Sequence, residues 1–302
     1  MRRLIAASMF SLAALTAQAA VAWPMPPDVK TVDVEGYPLA YVDVGSGVPI
    51  VIVHGAWVDH RLFKAQVAEF AKTNRVIAVS LRHHWPEPWD GQSTDYSVEQ
   101  HARDLVALVR KLGLGRVHLF GHSRGGGVAV AVARQAPELL RTLILAEPSG
   151  LVEVSTDPAA TRQRLEGGNA LAQRLREVWQ AGTTRDVMAS RAWESVSGPG
   201  SWDRMPAPVR QMISDNIVTM TAPMVSAVPP IATCEQVGAL RMPVLLLQSS
   251  RAEKVYVDSH GGLRRCNAAI APAVVVPESS HNMHMSNPVF FNQTVLDFVR
   301  AN

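Results

Sequence analysis

Only two cysteines occur in 302 residues, which excludes a disulfide-dense miniature scaffold. Cys234 and Cys266 also lack the histidine spacing of a zinc site. Charge of one sign is lacking too: 29 basic and 26 acidic side chains nearly cancel, at +3. No dense Lys/Arg cluster interleaved with aromatics occurs, so the sequence carries no nucleic-acid footprint. No period recurs, which leaves coiled-coil, collagen and repeat architectures without support. Beyond the N-terminus no apolar run approaches the roughly 20 residues of a spanning helix. Apolar residues are abundant, at 47%, and the length suits one large domain or one domain with an insert.

Residues 1–22 read as a secretory signal peptide. Arg2 and Arg3 form the charged start, Leu4 to Thr16 a short apolar run, and Ala17-Gln18-Ala19 or Ala20-Val21-Ala22 the small-residue cleavage site. Without those residues 27 basic side chains face 26 acidic ones, a net +1. No cysteine adjoins the cleavage site, so lipid anchoring is not indicated. The mature protein is therefore expected to be periplasmic or secreted, with no membrane association after cleavage. An oxidising compartment permits a Cys234–Cys266 disulfide; two buried free thiols are the other reading.

Thr31–Val34 and Leu39–Val44 alternate and read as a hairpin. Pro49–Val53 and Arg75–Leu81 are continuous apolar runs, as strands buried on both faces require. Over Ser97–Leu112, helical spacing puts Val98, Leu105, Leu108, Val109 and Leu112 on one side, and Ser97 with Gln100 makes a capping-box pattern. Then follow strand Val117–Phe120, helix Gly125–Gln135, strands Thr142–Ala146 and Val244–Gln248, helix Val257–Arg265, strand Ala273–Val276 and helix Pro288–Arg300. This order predicts an α/β protein: a mostly parallel eight-stranded sheet with helices on both faces. Residues 148–235 break the rhythm with helical patterns at Pro158–Gln180 and Pro208–Met220. They are expected to form a helical cap over the strand ends of a core made of residues 23–147 and 236–302. Ligand crevices in open α/β sheets lie outside those carboxyl ends. Trp179, Trp193, Trp202, Met188, Met205, Met212, Met220 and Met224 would either roof the pocket or pack the cap helices.

Gly121-His122-Ser123-Arg124-Gly125 follows a predicted strand and opens a predicted helix, the context a G-x-S-x-G nucleophile turn needs. A phosphate-cradling turn is disfavoured, because neither G-x-G-x-x-G nor G-x-x-x-x-G-K stands at the first βα turn. Ser123 would be the nucleophile. The backbone N–H groups of Arg124, at the helix start, and of Ala56, after the third strand, would form the oxyanion hole. His54 would brace its loop, and Trp57, His83 and His122 are candidate substrate contacts. His281, on the loop before the last helix, is the expected general base, with His284 as competitor. No third ligand joins these two histidines, so no metal is expected. The orienting carboxylate is Glu147, capping the strand beside the nucleophile strand, or Glu253, one step past Ala252.

With these residues in place the chain resembles the α/β-hydrolase superfamily, over about residues 31–147 and 236–302. The resemblance rests on His54-Gly55-Ala56-Trp57, the Ser123 turn, the run from Thr142 to Pro148, the run from Met242 to Leu247, and Ser280-His281. It implies a serine nucleophile, two backbone oxyanion donors and no cofactor. Ala252 departs from the commonest position of the acid. Members such as certain lactonases and haloalkane dehalogenases carry it after strand six, which Glu147 matches. Ser123 argues against dehalogenases and epoxide hydrolases, whose nucleophile is Asp.

The expected function is a secreted serine hydrolase that cleaves a small-molecule carboxylic ester or lactone through an acyl-enzyme. A carbon–carbon bond hydrolase or cofactor-free perhydrolase with the same three residues, and a non-catalytic ligand-binding relative, are the alternatives. The sequence sets no oligomeric state.

Overall fold

Runs such as Pro-Ile-Val-Ile-Val have no polar face, and they form strands that are buried throughout. The computed structural model describes residues 25–87, 89–222 and 231–302. The candidate leader and Met224 lie outside the described residues. The strands are β1 (Lys30–Val34), β2 (Tyr37–Val44), β3 (Pro49–Val53), β4 (Arg75–Val79), β5 (Val117–His122), β6 (Leu140–Ala146), β7 (Val244–Ser249) and β8 (Val274–Val276). They form one eight-stranded sheet in the order β1-β2-β4-β3-β5-β6-β7-β8. Only β2 runs against its neighbours, β1 and β4; the other pairs are parallel. The α/β fold is thus as the element order predicted.

The helices of the described residues are α1 (Lys64–Phe70), α2 (Val98–Lys111), α3 (Arg124–Gln135), α4 (Pro158–Gln180), α5 (Arg185–Ser197), α6 (Ala207–Asn216), α7 (Cys234–Gly238), α8 (Lys254–Cys266), α9 (Met283–Ser286) and α10 (Pro288–Ala301). Side chains alternate along each strand and so feed two apolar layers. Val51, Val53, Leu119, Leu143, Leu145 and Leu246 meet Leu105 and Leu108 of α2, Val128 to Ala133 of α3 and Leu263 of α8. Ile50, Ile52, Phe120, Ile144, Leu245 and Leu247 meet Val67 and Phe70 of α1 and Phe291, Val295 and Val299 of α10. Each fully buried side chain of this kind contributes about 1.5–3 kcal/mol relative to exposure.

Two local details differ from the sequence reading. Ser97 does cap α2, accepting from the Gln100 N–H at 3.0 Å. The reciprocal half of the box is not made, because the Gln100 side chain turns the other way: its Oε1 accepts from Arg103 and its Nε2–H donates to Asp104 at 2.9 Å. The complete box is Thr233 with Gln236, at the start of α7. There Cys234 is disulfide-bonded to Cys266 at the end of α8, with the Cα atoms 5.0 Å apart.

Helices α4, α5 and α6 bury a third apolar cluster of their own, including Leu175, Met188, Ala192, Ile213 and Met220. The predicted helix Pro208–Met220 is α6 followed by a 3-10 turn over Ile217–Thr221. Helix α5 escaped the pattern because its buried stripe is only Met188, Ala189 and Ala192. A polar tie joins this layer to the sheet. Arg61 bridges Asp59 at 2.6 Å and Asp215 at 2.8 Å, while the Asn216 amide donates to Asp59 at 2.7 Å. Among the described residues no helix is long and apolar enough to cross a membrane.

Candidate active site

Strand β5 ends at His122, and the chain turns at once into α3. Ser123 takes the turn at φ 54° and ψ −121°, a left-handed conformation that β-carbon sterics disfavour. Its neighbours must be glycine for steric reasons. A Cβ on Gly125 would lie 2.5 Å from the Val53 carbonyl, and one on Gly121 would lie 2.8 Å from the Gly126 Cα. Trp57 and Glu147 also hold positive φ, at 72° and 44°. Such strain costs of order 1–3 kcal/mol per residue and concentrates at functional sites.

The Glu147 carboxylate sits at the end of β6 and is fully buried. Its Oε2 accepts from His281 Nδ1–H at 2.6 Å. Its Oε1 accepts from the Ser249 N–H at 2.8 Å and the Ser249 hydroxyl at 2.6 Å. Burial pushes this carboxyl up, but the hydrogen bonds from His281 and Ser249 outweigh it and hold the group below its ordinary value. With Nδ1 donating, the neutral His281 ring presents its lone pair at Nε2. About a third of the His281 side chain is exposed, so a substrate can reach it.

His122 anchors the loop that carries this ring, because its Nε2–H donates to the His281 carbonyl at 2.9 Å. The two rings lie 4.7 Å apart. Ser123 follows His122 directly, so the Ser123 turn and the His281 loop are fastened together. The Ser123 hydroxyl makes no hydrogen bond to His281 among the described residues. Instead, Nε2 faces the Tyr256 hydroxyl at 3.4 Å, and the Tyr256 ring stacks on the imidazole at 4.5 Å. Arg164 of α4 donates to the same hydroxyl at 3.1 Å and is paired with Glu253.

The loop after β3 passes close to Ser123: a Cβ on Gly55 would lie 3.1 Å from the Ser123 Cβ. His54 fixes that loop, donating from Nδ1 to the Gly55 carbonyl at 2.7 Å and accepting at Nε2 from the Leu81 N–H at 2.9 Å. Burial holds the His54 ring down to about 4. No backbone acceptor takes the Ala56 N–H among the described residues. The Arg124 N–H is at the first position of α3 and has no intrahelical acceptor. Trp57 meets Trp193 of α5 edge-on at 6.0 Å.

Several sequence candidates stand elsewhere. Glu253 is exposed and held by Arg164, away from the imidazole. His83 is no free pocket wall: Glu87 lies 3.0 Å from its Nδ1 and Asp95 2.6 Å from its Nε2, which leaves no ring nitrogen for a ligand. His122 is buried, with Nε2 on the His281 carbonyl, while its Nδ1 has no partner among the described residues. His284 is buried between Phe63 and Phe291, which lowers it to about 3. Among the described residues no cluster of three metal-ligating side chains occurs. Ser249, Tyr256 and Arg164 were not singled out from sequence. Ser249 alone had a signal, a hydroxyl at the carboxyl end of a strand.

A family model described as "Alpha/beta hydrolase family" matches residues 50–294. The chain therefore belongs to the α/β-hydrolase family. It is 23% identical over 277 residues to the 2-(acetamidomethylene)succinate hydrolase of Mesorhizobium japonicum, covering 90% of this chain and 95% of that protein. Uncharacterised proteins of Mycobacterium tuberculosis and Mycobacterium bovis are 35% identical over 128 residues, and the chain spans only 37% of their length. Among solved structures, a thermophilic esterase from Thermogutta terrifontis superposes with a TM-score of 0.65 at 24% identity, over 90% of this chain and 97% of that one. Est816, described as an N-acyl homoserine lactone degrading enzyme, gives a TM-score of 0.65 at 21% identity, over 89% and 99%. At these identities the likeness to the two structures is one of fold.

Proposed function

We propose that the protein is a serine hydrolase that cleaves a carboxylic ester or lactone. The Glu147–His281 pair carries the reading: a buried, ionised carboxylate fixes the tautomer of a reachable imidazole, on a loop fastened beside the strained serine turn. In the proposed reaction His281 Nε2 takes the Ser123 proton as the oxygen attacks the substrate carbonyl. For this, Nε2 exchanges the long contact with Tyr256 for the serine. Such bonds are often long without substrate and tighten in the Michaelis complex. The Ala56 and Arg124 N–H groups hold the oxyanion, each worth about 2.7–4 kcal/mol in the transition state. His281 then protonates the leaving alcohol, and water, activated by the same ring, releases the acid. Glu147 stabilises the imidazolium at both steps.

In this reading the layer α4–α6 serves as the cap over the strand ends, with Trp57 and Trp193 on its underside. We further propose that the chain is exported, to the periplasm or beyond. The N-terminal pattern supports this, and so does the Cys234–Cys266 bridge, which an oxidising compartment favours. The test is fluorophosphonate labelling of the wild type and of Ser123→Ala, followed by a panel of acyl esters against lactones. Labelling that persists in the variant would overturn the assignment of the nucleophile.

A further inference from the structure

The residue after the nucleophile carries a charge that no carboxylate among the described residues matches. Arg124 is only 6% exposed, and no carboxylate pairs with it among the described residues. Its one side-chain hydrogen bond runs from Nη1–H to His101 Nδ1, at 2.8 Å. The guanidinium also lies over the Tyr96 ring at 4.5 Å, which offsets part of its lost hydration. Asp104, in the same helix as His101, and Asp95, next to Tyr96 in the chain, are both taken by Arg82, each at 2.8 Å. Among the described residues its surroundings supply no counter-charge. It stands at the first turn of α3, where the helix dipole is positive. Burial, above all, keeps the His54, His84 and His101 rings neutral, and the Arg124 charge lowers each of them further. An unpaired buried cation costs several kcal/mol.

The surrounding hydrogen bonds point the same way. An arginine only donates, so His101 Nδ1 must accept and the His101 proton sits on Nε2. That Nε2–H is buried and has no partner. Among the described residues the other Arg124 nitrogens have no acceptor, and they are not sealed from solvent. Free donors, one of them permanently charged, thus lie together with no acceptor. Tyr96, against which the guanidinium rests, belongs to the apolar cluster on which Ala56 and Trp57 pack. Arg124 directly follows Ser123, so in the serine-hydrolase reading the free charge stands next to the nucleophile turn.

We infer that Arg124 is an anion subsite, and that the substrate carries a carboxylate near its scissile carbonyl. This rests on the serine-hydrolase reading above and narrows its substrate class. The carboxylate takes the free guanidinium N–H groups while the Arg124 backbone N–H holds the oxyanion, so one residue reads both ends of an acid-bearing ester or lactone.

The experiment compares p-nitrophenyl hydrogen glutarate with neutral p-nitrophenyl butyrate, in the wild type and in Arg124→Gln. Removing one partner of a buried charge pair should lower the charged-to-neutral ratio of kcat/KM by roughly 30-fold or more. An unchanged ratio overturns the subsite; a general loss of packing would depress both esters alike and leave the ratio where it was. Binding is measured separately from turnover. Glutarate should raise the Tm of Ser123→Ala, glutaramide should not, and Ser123→Ala/Arg124→Gln should not respond to either. If Arg124→Gln does not fold, the glutarate-against-glutaramide comparison on Ser123→Ala decides alone, and equal responses overturn the proposal. Loss of fluorophosphonate labelling in the wild type would sink the hydrolase reading instead, and leaves the glutarate result to stand or fall by itself.

Discussion

The two sides of Ser123 are built on opposite electrostatic plans. On one side a buried carboxylate, Glu147, receives three hydrogen bonds and faces an imidazole that can become its counter-charge. On the other a buried guanidinium, Arg124, has one neutral imidazole partner and an aromatic face. The first side is complete without substrate, and the second is not. Buried charges are tolerated when paired, so the completed side reads as machinery that stays put and the incomplete side as a place for something that comes and goes.

The largest expected effect falls on the completed side. Glu147→Gln should lower kcat by up to about 10,000-fold, because the amide favours the wrong imidazole tautomer, while Glu253→Gln should change it only a few-fold. Steady-state rates for the two variants decide this, and the reverse order would move the acid to the exposed side of Arg164. A test remote from both sides comes next. Replacing Cys234 and Cys266 by Ser should cost about 3–4 kcal/mol of stability by loop entropy, with the charged-to-neutral ester ratio unmoved. Urea unfolding with and without reductant measures it.

The third prediction probes the incomplete side through pH. His54 is held down to about 4, and His84 and His101 well below their ordinary value, in each case chiefly by burial. Their folded pKa is depressed, so the unfolded chain binds more protons below about 6.5. Stability should therefore be fully present above that pH and fall as it drops toward 4. Each such ring adds a slope of about 1.4 kcal/mol per pH unit. His101→Gln should flatten the curve by up to that amount, as read by unfolding free energies between pH 4 and 7; an unaltered slope would mean that His101 is not held neutral. The smallest effect is expected at Tyr256→Phe. Freeing His281 Nε2 from the hydroxyl should change kcat by a few-fold, with KM for the neutral ester nearly constant.

Much of this plan was legible from local pattern. The Ser123 turn announced itself because sterics demand glycine at 121 and 125, and the apolar runs at 49–53 and 117–120 announced strands buried on both faces. Glu147 could be proposed because a carboxylate at a strand end has few reasons to be there. The choice between Glu147 and Glu253 turned on where the loop after β7 goes, which a sequence does not show. His83 was misread for the same reason. A loop histidine has the same letter whether it faces substrate or, as here, gives both ring nitrogens to Glu87 and Asp95.

The sequence by itself determined the order of elements, the strained serine and the imidazole loop, since these follow from periodicity and from backbone sterics over a few residues. Only the tertiary structure decided which charges are paired. Pairing depends on distances between segments far apart in the chain: Glu147 finds His281 across 134 positions, and Arg124 has His101 at 23 positions but no carboxylate. Electrostatic energies depend on separation and burial in space, and neither is written in the order of residues.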